Sequence, residues 1–362
     1  MMKKLLGIVV LYLFSCNIAF ADAEKVLKEI KKNKDIARGF NKVKSYDEKY
    51  NRWRIVFQKE ILKSDKNTRK HIIQIVNKKE GYPTRYGDQS IRFEVRDGDS
   101  WGWDTRNDRE RVELIICCFE KKTHWNTWSI YLPEDFPIIF PTKVAMGQFH
   151  GSGDNPPEFM FQNQYDKYNK SKSGGYWVTP AESISDHISK KLLDQKDMLG
   201  KWNDILVNAK WTHKDDGFFK IWINGKLTYE HRGKTHLKGE EIEHQLGIYR
   251  SYVSRSPGPD PTQIVFYDEI RYAKTCKKLK LEDLGYFCEK LENQKIKITE
   301  NLENIDNSEY IVIVKNKTDK NVLIKVRGFG KKTLIDEAMK KCTDKHKKGC
   351  YVHYSSQVAF GQ

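Results

Sequence analysis

Three short segments carry side chains able to move protons or hold anions. In each, those residues recur at the two-residue spacing that places them on one face of a β-strand. In Arg109-Glu110-Arg111-Val112-Glu113-Leu114 the shared face holds Arg109, Arg111 and Glu113. In Gly147-Gln148-Phe149-His150-Gly151 it holds Gln148 and His150. In Gln245-Leu246-Gly247-Ile248-Tyr249 it holds Gln245 and Tyr249, with space left at Gly247, and Arg250 follows. The alternate positions Val112, Leu114, Phe149, Leu246 and Ile248 suit a core. Alone, each segment has a bland explanation: a structural histidine, a packed tyrosine, a surface ion pair. Together they supply donors for an anion, a base and an acid.

Cleavage of a uronic acid polymer by β-elimination needs that set. The C5 proton is too weakly acidic until the adjacent carboxylate is neutralised, and Arg111 and Gln148 are suited to stabilise the developing charge. His150 is the candidate base and Tyr249 the candidate acid. On the epimer whose proton faces it, Tyr249 could serve as both. Glu113, Arg109, Gln245 and Arg250 are further candidates to bind substrate. The reaction requires no metal or other cofactor.

These residues need a scaffold of strands. From Arg52 to Tyr272, short runs rich in β-branched and aromatic residues alternate with Gly, Asp, Asn and Pro. That texture predicts an all-β sandwich or jelly roll. Asn224-Gly225, between Lys220–Ile223 and Lys226–Tyr229, is a two-residue hairpin signal. Residues 181–200 look helical. Beyond Lys277 the chain turns Lys- and Glu-rich. Strands are expected at Glu309–Val314, Val322–Val326 and Cys350–Tyr354, and a helix at Lys332–Lys345.

The three segments resemble the signature strands of jelly-roll polysaccharide lyases. In alginate lyases of that fold the corresponding motifs are Arg-x-Glu-Leu, Gln-Ile/Val-His and Tyr-Phe-Lys-Ala-Gly-x-Tyr. The surroundings resemble the heparin lyase I and glucuronan lyase group, through Ile91–Asp99, Trp128–Pro133, Trp202–Val207, Ile221–Lys226, Leu246–Arg250 and Val265–Arg271. The match runs in consistent order over residues 50–275. It implies a concanavalin-like β-jelly roll with substrate across its concave sheet. It assigns Arg111 and Gln148 to the carboxylate, and His150 and Tyr249 to proton transfer. One position departs: Gln245 stands where the family commonly has Lys, which weakens any inference of a highly sulfated substrate.

The 362-residue chain has a formal charge of +16, and 12% of its residues are aromatic. That aromatic load excludes a disordered polyelectrolyte, and the charge points to a polyanionic partner. Met1–Ala21 combines Lys3 and Lys4, an apolar run Leu5–Phe14 and an Ala19-Phe20-Ala21 cleavage site. It reads as the signal peptide of a protein exported by a bacterium, periplasmic or secreted. The run is short for a membrane span, so no stable membrane insertion is expected. Its removal lowers the charge from +16 to +14. Export makes nucleic acid a poor partner and an anionic polysaccharide a good one. A monomer is expected.

The expected domains are the leader (1–21), a basic lead-in (22–50), the lyase domain (51–276), a charged linker (277–308) and a small α+β accessory module (309–362). Cys342 with Cys350 and Cys276 with Cys288 are candidate disulfides. Adjacent Cys117 and Cys118 read as packing residues.

Asp97, Asp99, Asp104 and Asp108 are dense enough for a structural calcium, and calcium sites are known in the lyase group; without EF-hand spacing, a solvated acidic loop is the simpler reading. Trp101 and Trp103 flank that loop as sugar platforms or core residues. Lys167, Lys170 and Lys172 suit a loop over the substrate or plain surface. The remaining histidines lack metal-ligand spacing, and His244 should face away from Tyr249. Two other functions compete: a non-catalytic lectin-like module and a glycoside hydrolase. Hydrolysis needs two flanking carboxylates; the nearest cluster, Glu240-Glu241-Ile242-Glu243, reads as a solvated turn.

Overall fold

The computed structural model describes residues 71–296, apart from 101–102, 120–122, 152–154, 164–173, 186–188 and 238–240. It also describes 29, 37–38, 53–56, 309–316, 323–329, 331–346 and 350–357. The leader, most of the basic lead-in, Trp101 and the three loop lysines at 167–172 lie outside the described residues. The chain divides into two compact units, Met1–Ile296 and Lys297–Gln362.

In chain order the strands begin with β1 (Ala37–Arg38), β2 (Trp53–Val56), β3 (Ile73–Asn77), β4 (Gln89–Val95), β5 (Arg109–Phe119) and β6 (Thr123–Tyr131). They continue with β7 (Lys143–Gly151), β8 (Phe159–Asn163), β9 (Tyr176–Pro180), β10 (Lys190–Leu193), β11 (Trp202–Lys210) and β12 (Phe218–Ile223). β13 (Lys226–Arg232), β14 (Ile242–Ser251) and β15 (Gln263–Ala273) complete the first unit. One sheet runs β13-β12-β11-β6-β15-β4-β3, with β1 paired to β15; the other runs β10-β9-β8-β7-β14-β5-β2. The two form a β-jelly-roll sandwich.

Apolar residues at alternate positions build its core. Val112, Leu114, Ile116, Phe149, Leu246 and Ile248 meet Trp128, Ile130, Ile205, Val207, Phe219 and Val265 in one buried cluster. The opposite face of the second sheet is thereby left to the polar members of the same strands. Asn224 and Gly225 both take positive φ, 49° and 78°, in the β12–β13 turn, as a type I′ hairpin requires.

Two expectations are corrected. Residues 181–200 are not one helix: Lys190–Leu193 pairs with β9, and among the described residues of this stretch only Gln195–Met198 forms a helical turn. Tertiary pairing overrides the helix-like spacing of Ile184, Ile188 and Leu192. The charged linker expected from 277 is packed structure for most of its first half. Leu279, Leu281, Leu284 and Leu291 form a second core with Trp125, Leu206 and Trp222. The Cys276–Cys288 disulfide closes this segment.

The second unit contains the antiparallel sheet β17-β16-β18, from β16 (Glu309–Asn316), β17 (Leu323–Phe329) and β18 (Cys350–Gln357). The helix Lys331–His346 lays Leu334, Ala338 and Cys342 against Val314, and Cys342 is bonded to Cys350. Among the described residues no helix is long and apolar enough to cross a membrane.

Candidate active site

The three motif strands are neighbours: β14 pairs with β5 on one side and β7 on the other. Tyr249 lies opposite Arg111, Gly247 opposite Glu113, Gln245 opposite Gln148, and Glu243 opposite His150. The polar face expected from three separate segments is therefore one continuous surface.

Its geometry depends on two glycines. In β7, Met146 and Phe149 both enter the core although three residues apart, while Ala145 joins Tyr249 on the other face. A regular strand would put Met146 and Phe149 on opposite faces. The register shifts between Ala145 and Gln148, around Gly147 at φ 144°. Gly247 has φ 151°, and a Cβ there would sit 2.1 Å from the Val112 carbonyl oxygen. Its missing side chain thus permits close approach of the backbones, a stricter need than space between Gln245 and Tyr249.

A buried chain of hydrogen bonds crosses the strands. The Gln148 amide donates to Glu113 Oε1 (2.8 Å) and Gln245 Oε1 (2.7 Å), and Gln245 donates to Glu243 Oε2 (3.2 Å). Arg111 reaches Glu113 at 3.4 Å and Asp104 at 2.8 Å. Burial pushes the Glu113 carboxyl above its ordinary pKa, against the opposing pull of Arg111. Glu113 thus anchors Arg111 and Gln148 from beneath. Glu243, expected in a solvated turn, is a buried member of β14.

At one end, Arg109 donates to the Tyr249 hydroxyl oxygen. The guanidinium carbons of Arg109 and Arg111 lie 5.4 and 4.9 Å from the Tyr249 ring centroid. Burial raises the Tyr249 pKa, and Ser251, Arg109 and Arg111 pull it back. At the other end, His150 Nδ1 contacts the Gly151 carbonyl oxygen. A carbonyl only accepts, so Nδ1 carries the hydrogen and the lone pair resides on Nε2.

Arg250 is the one candidate that the structure removes from this face. It is fully buried on the core side of β14, paired with Glu110 at 3.0 Å and bonded to Gln263 and the Val95 carbonyl. The two-residue period itself requires this, since Arg250 is out of phase with Tyr249. His244 also faces the core, stacked on Phe149 at 4.5 Å.

The acidic loop does not fit a calcium site. Asp97 accepts from the Asp260 amide, Asp99 contacts His71, Asp104 pairs with Arg111 and Asp108 binds Ser254. Four carboxylates with four different partners make no shared cage. Sequence reasoning missed the contact of Asp104 with Arg111. It also missed Lys143, which lies opposite Ser251 on β7; burial, and then the Arg109 charge, lower its pKa to about 8.

The sequence model of a family described as Polysaccharide lyase matches residues 78–271, which span β4 to β15 and all three motif strands. The chain belongs to this polysaccharide lyase family. It is accordingly a lyase acting on a polysaccharide. Solved structures similar to it include an endo-β-1,4-glucuronan lyase from the fungus Trichoderma reesei, at 14% identity over 56% of this chain and 87% of that one, with TM-score 0.42. Alginate lyase vAL-1 from Chlorella virus is similar at 14% identity over 56% and 90%, with TM-score 0.36. The cellulose induced protein Cip1 is similar at 12% identity over 64% and 94%, with TM-score 0.38. A search of curated proteins returns no match.

Proposed function

We propose that this polysaccharide lyase cleaves a uronate-containing, anionic polymer by β-elimination on the outer face of β5, β14 and β7. The observation that carries this reading is the Arg109–Tyr249 hydrogen bond on the same face as His150. A phenolic proton donor under cationic control and an imidazole base then share one face.

Arg111 binds the substrate carboxylate, and Gln148 donates to it in exchange for its bond to Gln245. The C5 proton is thereby acidified. His150 Nε2 takes that proton, the C5–H electrons form the C4=C5 double bond, and the C4–O4 bond breaks. Tyr249 gives its proton to the departing oxygen. As charge grows on the phenolate, the bond from Arg109 strengthens. Gln245 offers a neutral donor or acceptor in place of a cation, which suits a carboxylated polymer better than a highly sulfated one. The leader-like N-terminus and the two disulfides support export to an oxidising compartment.

The test is incubation of the protein with glucuronan, alginate, heparin and heparan sulfate while ultraviolet absorbance of the 4,5-unsaturated uronate is followed. Absorbance should rise on at least one uronate polymer. Tyr249→Phe and His150→Ala should each lower kcat at least 100-fold with the fold intact. Reducing ends formed without the chromophore, or full activity in either variant, would overturn the assignment.

A further inference from the structure

Both arginines beside Tyr249 are held by one helical turn outside the three motif strands. Trp103 and Asp104 are consecutive residues on the turn Trp103–Arg106, between β4 and β5. The Arg109 guanidinium carbon lies 4.7 Å from the Trp103 ring centroid and 5.4 Å from that of Tyr249. Arg109 therefore contacts two aromatic rings while donating to the Tyr249 hydroxyl oxygen. Arg111 lies 4.9 Å from Tyr249 and 5.9 Å from Trp103. Asp104 is buried, and its Oδ2 binds Arg111 Nε at 2.8 Å. Its Oδ1 has no hydrogen-bond partner among the described residues, so its strong polar side-chain contact is Arg111.

The turn is itself anchored. Asn107 donates to the Trp103 carbonyl at 2.6 Å, and the Arg111 amide bonds to the Asp99 carbonyl at 3.3 Å. Trp103 is nevertheless 51% exposed. An exposed indole contributes little to a core, so its placement over Arg109 calls for another explanation. Cation–π attraction restricts a flexible arginine to one orientation. Among the described residues Arg109 has no carboxylate partner to do that work.

We propose that Trp103 and Asp104 are positioning residues that aim Arg109 and Arg111 at Tyr249 and thereby set the acidity of its hydroxyl. This rests on the reading of Tyr249 as the proton donor. The charged and titratable groups around Tyr249 are Arg109, Arg111 and Glu113 from β5; Ser251 follows on β14, with Lys143 at its register on β7, while Ala145 and Met160 contribute apolar contact. Loss of a well-aimed cation destabilises the phenolate, so Tyr249 becomes a weaker acid and a poorer donor to the leaving oxygen.

The test needs no substrate. With 3,5-difluorotyrosine in place of Tyr249, the more acidic phenol is titrated by fluorine NMR in the otherwise unchanged chain and with Trp103→Ala, Arg109→Ala or both. Trp103→Ala and Arg109→Ala should each raise the phenol pKa by about one unit, and the double variant should raise it no further, because one residue acts through the other. Trp103→Phe should restore at least half of the shift. Asp104→Asn removes an anion but keeps an acceptor for Arg111, whereas Asp104→Ala frees that arginine, so the phenol pKa should be higher in Asp104→Ala than in Asp104→Asn; equal values in the two would remove Asp104 from the proposal. An unmoved titration in Trp103→Ala, or additive shifts in the double variant, would overturn the proposal. Turnover of the polymer cleaved fastest in the screen separates the two claims. If Tyr249→Phe stays active, the proton-donor reading falls. If it is inactive and the titration is unmoved, only the positioning role falls.

Discussion

Arg250 and Arg111 show how one period separates structure from chemistry. They lie on adjacent strands, yet Arg111 reaches the polar face while Arg250 is enclosed with Glu110. Burial lowers the Arg250 pKa against the pull of Glu110, so the pair matters through its completeness. Removing one member leaves a buried charge alone, at a cost of about 3–5 kcal/mol. Arg250→Met should therefore lower the unfolding free energy by about 3 kcal/mol or more in denaturant titration, with KM of the folded fraction unchanged. A raised KM at unchanged stability would restore Arg250 to the substrate site. The polar positions of Arg109, Arg111, Glu113, Gln148, His150, Gln245 and Tyr249 were legible from alternation. The grip of Asp104 and Trp103 was not, because a loop preceding β5 folds back over that strand only in three dimensions.

At the scale of elements, the central strands hold the site through backbone irregularity. Gly247 lets β14 lie against β5, and Gly147 corrects the phase of β7. An alanine at 247 needs both an unfavourable φ and separation of the two backbones. Gly247→Ala should cost about 2–4 kcal/mol and reduce kcat by drawing Tyr249 away from Arg109. Unchanged melting and turnover would show that the strands can part freely. Strands with long alternating runs were legible in the sequence, as were the Asn224-Gly225 hairpin and the C-terminal strand–strand–helix–strand order. β8 and β9 were not singled out, being short and bordered by Pro, Gly and polar residues. β10 was obscured by residues spaced as in a helix.

At the scale of the whole molecule, the sandwich core encloses a histidine that has no hydrogen-bond partner on either ring nitrogen among the described residues. Burial lowers the His244 pKa from 6.5 to about 3. Between those values the unfolded chain binds a proton that the folded chain refuses, so stability falls as pH falls below about 6.5. The loss approaches roughly 5 kcal/mol near pH 3. His244→Phe should flatten this acid limb in thermal unfolding from pH 7 to pH 4; an unchanged slope would place the acid sensitivity elsewhere. The fold class was legible because apolar alternation extends across the chain. The extent of the first unit was not. Its Lys277, Lys278, Lys280 and Glu282 are exposed while the leucines between them are buried, and charge density masked the packing.

The packed segment after β15 bears on how the catalytic unit can be cut free. Tyr286 lies over Gly225 and donates to Asp204, and Gln294 bonds the β12–β13 hairpin at Gly225 and Leu227. A chain ended after Ala273 would uncover Trp125, Trp222 and Leu206 together, an apolar patch prone to self-association. A chain ended after Ile296 would keep them covered. By light scattering the shorter fragment should aggregate and the longer should not; equal solubility would show that the leucine-rich strap is dispensable.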